Sequence, residues 1–302
     1  MANTQIGLRA AVEKAKEAAT VAKLIGGAEG ADHRANAHLL QHNCMFRLGD
    51  MAPAARFACS LLRATRATGN RPFLVTALTS CADVAKRAPD EMAKAERESR
   101  DQERFSGSPP SYGGLDLSQE GRVSLPTSPA ALSRLELTYR EASVASCDAA
   151  LAAVGGRGSP DADDKQLVPS LCFEAATRGY LGICLIDLGE ERERGFALIR
   201  QAVPLLRKRL RTAASWDDAV LSEHSLAGWL CHLGHLLSTH SSQTVEAAAC
   251  LRGAQELSET LNDVLLKQDV LRYLANMSGR PDQPVGLAEA TTLRSRLNAL
   301  YV

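Results

Sequence analysis

Residues 181–190 read LGICLIDLGE, and residues 226–235 read LAGWLCHLGH. Aligned 45 residues apart, both run leucine, small residue, leucine three later and glycine four after that. Each position has a physical use. The small residue lets a neighbouring helix approach closely, the leucines fill the groove one turn on, and glycine takes the left-handed conformation that stops a helix. Arg47-Leu48-Gly49-Asp50 carries the same terminal step. The segments that follow also echo one another. Gly195, Ile199 and Ala202 match Ala247, Leu251 and Ala254, and Ala54, Ala58 and Leu61 match more loosely. Small, large four later and small three later is one helix face packed against a partner. The stretch therefore predicts an all-α chain of stacked antiparallel helix pairs.

Outward from these repeats, apolar periodicity predicts helices over 4–25, 31–48, 52–67, 72–87, 90–104 and 130–154. It predicts six more over 165–188, 191–213, 216–237, 244–263, 264–277 and 284–300. Gly26-Gly27, Gly49-Asp50, Gly69-Asn70 and Gly189-Glu190 punctuate them, and Pro89 separates 72–87 from 90–104 because the residue before a proline avoids the helical region. Residues 105–129, FSGSPPSYGGLDLSQEGRVSLPTSP, keep no helical period and read as a loop or disordered insert. They are taken as the boundary between an N-terminal helical lobe, 1–104, and a C-terminal one, 130–302.

Composition agrees with helix. Aromatic residues are only 4% of the 302, while Ala and Leu, strong helix formers, recur throughout. Lys plus Arg equals Asp plus Glu at 35 each, which removes the basic excess that a nucleic-acid partner needs. The local basic run Arg207-Lys208-Arg209, with Arg200 and Arg211, reads as a solvated helix face. The eight cysteines form no Cys-x-x-Cys pair and lie in apolar helical stretches, as reduced core residues do. Ile6 to Lys14 is amphipathic and charged rather than a signal sequence, and no uncharged run reaches the roughly 20 residues of a membrane span. The expectation is a soluble protein of the cytoplasm or nucleus.

The helix pairs resemble tetratricopeptide repeats, in particular a longer variety of roughly 40 residues. The resemblance covers 34–104 and 165–277, with 4–25 and 284–300 as caps. Leu181-Gly182 and the Gly189 turn carry it best. Gln41-His42 stands where Leu-Gly would fall, and the proline that usually closes each repeat is missing or displaced. The resemblance implies an α-α superhelix, or solenoid, whose concave face holds a peptide or partner helix. It implies groove positions at Asn36, Leu39, Asn43, Phe46 and Arg47 in the first unit. In the later units they fall at Ala176, Gly179, Ile183 and Asp187, and at Leu221, His224, Gly228, Cys231 and His232. Asn, Arg and His suit an extended peptide backbone or a carboxylate.

Catalytic and metal readings are thinner. Cys231 and His235 have metal-ligand spacing on one helix face, but Cys231 sits in an apolar run and a third ligand is missing. His38 and His42 share a face without a cysteine or carboxylate beside them. The glycines of 155–158 lack the Lys-Ser/Thr of a phosphate loop, and no Gly-x-Ser-x-Gly elbow occurs. Trp216 and Trp229 read as core anchors, one of them a candidate groove hot spot. The sequence thus favours a non-catalytic scaffold or adaptor for a protein or peptide partner, with no cofactor. An enzyme or metal-dependent module in an all-α fold, and a structural arm of a larger array, are the alternatives.

Overall fold

A computed structural model of the chain describes residues 2–68, 70–106, 128–153, 170–189 and 191–278. Among these residues every regular element is an α-helix. The chain divides into two compact units, Met1–Pro169 and Ser170–Val302. The first holds α1 (Ala2–Ile25), α2 (Gly27–Leu48), α3 (Met51–Thr68), α4 (Arg71–Ser106) and α5 (Pro129–Ala153), each packed on the next. The second holds α6 (Leu171–Asp187), α7 (Arg192–Arg211), α8 (Trp216–His240), α9 (Thr244–Thr260) and α10 (Val264–Ser278), again each packed on the next. The division falls after residue 169 and not within 105–129, because α5 packs on α4. The expected helix 284–300 and residues 107–127 of the expected loop lie outside the described residues.

Two of the glycine stops work as the sequence predicts. Gly49 is left-handed, with φ 82°; its N–H donates to the Phe46 carbonyl at 3.2 Å, and the Asp50 N–H donates to Met45 at 3.0 Å. That pair of bonds is a Schellman closure, which satisfies carbonyls the helix end leaves open. Gly189 is left-handed as well, and its N–H reaches the Ile186 carbonyl at 3.0 Å.

Gly234 corrects the reading. Instead of ending a helix it lies inside α8, which continues to His240. Its missing side chain serves the contact with α9: a Cβ there would stand 2.6 Å from Leu251 Cγ and 3.0 Å from the Ala247 carbonyl oxygen. Gly182 has that place in the α6–α7 pair, where a Cβ would stand 2.5 Å from the Gly195 carbonyl oxygen and 2.7 Å from Ile199 Cγ1. The structurally matching step is therefore Leu181-Gly182 with Leu233-Gly234, 52 residues apart, and not 45. The same offset carries Leu185 onto Leu237, Gly195 onto Ala247, Ile199 onto Leu251 and Ala202 onto Ala254, all of them buried. In the α2–α3 pair the close approach is replaced by a hydrogen bond. His42 is buried, and its Nδ1–H donates to the Ala54 carbonyl at 3.0 Å.

Pro89 does not break the chain into two helices. α4 runs through it from Arg71 to Ser106, giving up only the bond that a proline nitrogen cannot donate. Serines cap two helices in the second unit. Ser170 accepts from the Phe173 N–H at 3.3 Å and Ser215 from the Asp218 N–H at 3.2 Å. The core of that unit is continuous from Ala175 through Phe196, Leu206, Trp229 and Leu251 to Leu274. The first unit has two smaller clusters, one around Ala58, Leu61 and Leu78, the other around Ala54, Val84 and Leu132.

Gly228 offers a check on the helix assignment. It sits in the interior of α8, where a Cβ would meet nothing within 4 Å. Gly228→Ala is therefore expected to stabilise the second unit by about 0.5–1 kcal/mol, the usual helix-interior difference. Hydrogen exchange over α8 that becomes faster instead would show a conflict at this site.

Candidate interaction surface

The candidate residues on α2 separate by helix face. Asn36, Asn43 and Arg47 are exposed and share one stripe, joined by His33 and Leu40 at the same spacing. Leu39 and Phe46 are turned toward neighbours. Leu39 is half-buried against the Ala35–Leu61–Leu78 cluster. Phe46 packs beside Ala54 and Val84, with the Arg87 guanidinium 5.0 Å above its ring and donating to its carbonyl at 3.1 Å.

In the second unit the expected groove residues scatter. Ile183 and Cys231 are core residues, a correction to the groove reading, since neither presents a side chain to a partner. Burial pushes the Cys231 thiol up to about 12. His235, at metal-ligand spacing from it in the sequence, stacks on Tyr273 with ring centroids 4.0 Å apart, and burial lowers its pKa. Asp187 and His232 are exposed. His224 is exposed too, but its Nδ1 lies 3.2 Å from Asp263 Oδ2, at the residue that caps α10 by accepting from the Leu266 N–H. Trp229 is buried against Gly179, with Tyr180 edge-on at 5.2 Å. Trp216 is 77% exposed, contrary to the expectation of a core anchor. Two members of the basic run are paired: Arg200 bonds both carboxylate oxygens of Glu246 at 2.7 Å, and Arg209 meets Asp218 at 2.7 Å.

An open groove with apolar lining lies between α1 and α2. Its volume is about 530 Å³. Small residues, Ala15, Ala18, Ala22 and Ala37, line its floor, and Val21, Ile25 and Leu40 stand over it at 55%, 52% and 46% exposure. Lys14, His33 and Asn36 line its polar part. The two helices come together tightly at one end, where Gly30 approaches the Ala22 carbonyl so closely that a Cβ would overlap it. The left-handed Gly26 and Gly27 make the turn between them. Alanines at 15, 18 and 22 cannot fill the space between two helices, so the larger side chains along the rim remain uncovered.

Of the expected groove residues only Asn36 lines this surface; Asn43 and Arg47 extend its helix face. Val21, Ile25 and Leu40 were readable as apolar, and the signal for their role is surplus. α1 carries Val21, Leu24 and Ile25 in addition to the Val12–Ala15–Ala22 face that it buries, more than one apolar stripe requires. Among the described residues no helix is long and apolar enough to cross a membrane, and no three His, Cys, Asp or Glu side chains cluster as metal ligands would. The sequence matches no protein-family model and no curated protein.

Proposed function

We propose that the chain is a non-catalytic interaction module of tetratricopeptide-like helix pairs in solenoid order, and that it seats an amphipathic helix of a protein partner between α1 and α2. The groove carries this reading. An apolar trough with exposed Val21, Ile25 and Leu40 suits the i, i+3, i+4, i+7 anchors of a helix. The polar line of His33, Asn36, Asn43 and Arg47 suits that helix's hydrophilic edge. The shared contact residues of α6–α7 and α8–α9 support the repeat reading of the second unit.

The test uses the full chain with a photo-crosslinking amino acid at position 40, incubated with extract from its own cells. The control carries the same group at Gln201, an exposed position on α7. A protein adduct is expected at 40 and not at 201, and Val21→Asp is expected to reduce it at least tenfold, about 1.4 kcal/mol. Because Val21 is half exposed, the substitution should change stability by no more than about 0.5 kcal/mol. Equal adducts at both positions, or adducts indifferent to Val21→Asp, would count against the proposal.

A further inference from the structure

Outside the groove, two cysteines on different helices line the same cavity. Cys59 lies in α3 and Cys81 in α4, each eleven residues from Asn70 in the turn that joins them. Antiparallel helices bring residues equidistant from their turn side by side. Here the two cysteines, together with Tyr139 of α5, line one small cavity. Ala55 and Ala58 line it as well, so the backbones run close where the sulfurs meet.

The two thiols are not equivalent. Cys81 is buried, whereas Cys59 is partly exposed. Cys81 beside it holds the Cys59 thiol below its ordinary range against the rise that burial causes, and the Arg63 guanidinium one turn along α3 acts in the same direction as Cys81. Cys81 is raised for the complementary reason, its proton being held by Cys59, and by burial. A partly exposed thiol beside a cation, with a buried thiol lining the same cavity, is the arrangement of an attacking and a resolving cysteine.

From this geometry we infer that Cys59 and Cys81 form a reversible redox pair, oxidised by a hydroperoxide to a disulfide that ties α3 to α4. The Cys59 thiolate attacks one peroxide oxygen and the O–O bond breaks, giving the Cys59 sulfenic acid and an alkoxide or hydroxide. The Cys81 sulfur then attacks the Cys59 sulfur. A sulfur–sulfur bond forms, the S–O bond breaks, and the hydroxyl leaves as water with the Cys81 proton. The peroxide is reduced by two electrons, which the two thiols supply. Excess small-molecule dithiol returns both cysteines to the reduced state by exchange. The bond needs the sulfurs to close to about 2.05 Å.

The test treats the reduced full chain with a small excess of hydrogen peroxide and maps its peptides by mass spectrometry. The expected product is a Cys59–Cys81 cross-linked peptide, two hydrogens lighter than the thiol pair, that dithiothreitol removes. In Cys81→Ser, Cys59 should instead accumulate as the sulfenic acid and be labelled by dimedone. Competitive alkylation of the wild-type chain is a second measurement that needs no variant. Cys59 should react with iodoacetamide at neutral pH about tenfold faster than Cys172 or Cys250, the other half-buried thiols. Oxidation that leaves Cys59 and Cys81 unlinked, or that links other pairs as readily, overturns the assignment. So does a Cys59 alkylation rate no greater than that of Cys172.

Discussion

Arg140→Met is expected to destabilise the first unit by about 3–5 kcal/mol, the cost of breaking a buried ion pair from one side. Arg140 lies in α5 with its side chain 1% exposed. Its Nη2 donates to Asp83 Oδ1 of α4 at 2.6 Å, and its Nε and Nη2 reach Glu136 Oε1 one turn back at 3.4 Å. Methionine fills much of the same volume, so the loss isolates charge from packing. What remains is Glu136, buried and without the stronger of the two cations that act on it, Lys86 being the weaker. Burial already raises the Glu136 pKa, and Arg140 opposes that rise.

The sign of the pH dependence follows. Without Arg140 the Glu136 pKa rises further in the folded state. Stability tied to such a group is present below its unfolded value and is lost as pH rises through the folded one. The deficit of Arg140→Met should therefore be largest at neutral pH and shrink as pH falls toward and below the ordinary carboxyl value of 4.5. Adding Glu136→Gln should recover part of it at pH 7. Hydrogen exchange over α4 and α5 is the appropriate measurement, because the chain has two units and a global midpoint would mix them. Exchange in α4 and α5 that is unchanged by Arg140→Met would mean that the ion pair contributes nothing to their packing.

The sequence did not point to Arg140. Its reading of α5 rested on leucines and alanines, yet the face that is buried runs Leu132, Glu136, Arg140, Ser143, Cys147 and Ala150. A charge in a helical pattern reads as solvent-facing unless its partner is known, and Asp83 is 57 residues away. Helix positions were largely legible, because Gly26, Gly49 and Gly189 each need a left-handed backbone that few other residues adopt. Gly234 was misread since a Leu-Gly step has two uses, a stop or a contact without a side chain. Only Leu251 of α9 distinguishes them. On the surface, Asn36, Asn43 and Arg47 fell together because they share a helix face. Cys231 and His232 could not both face a groove, since consecutive helical residues point about 100° apart. The apolar trough between α1 and α2 was hidden by the alanines of its floor, which read as core whatever lies above them.

Gly182→Ala is expected to cost about 3 kcal/mol, although glycine to alanine inside a helix ordinarily stabilises by roughly 0.5–1 kcal/mol. The reason is what the new methyl group meets. The nearest atom is the Gly195 carbonyl oxygen, part of the α7 backbone, and the next is Ile199 Cγ1. A side chain can turn aside; a helix backbone moves only with the rest of its helix. Separating α6 from α7 at this point would also open the contact of Ile186 with Gly195, so the strain cannot be relieved locally. Gly195→Ala strikes the same seam from the other side, with the Gly182 carbonyl oxygen at 2.7 Å, and should cost a similar amount. The double variant should cost less than the sum, because helices already parted by one methyl group have room for the second. Gly234→Ala is a graded control. Its nearest neighbour is the Leu251 side chain, and its nearest backbone atom lies farther off at 3.0 Å, so a smaller loss is expected. Hydrogen-exchange protection over α6 to α9 across the four variants gives the order: Gly182→Ala and Gly195→Ala well below Gly234→Ala, and Gly228→Ala above the parent chain. A Gly182→Ala protein as stable as the parent would mean that α6 and α7 are farther apart than described, and the 52-residue correspondence between the helix pairs would lose its physical basis.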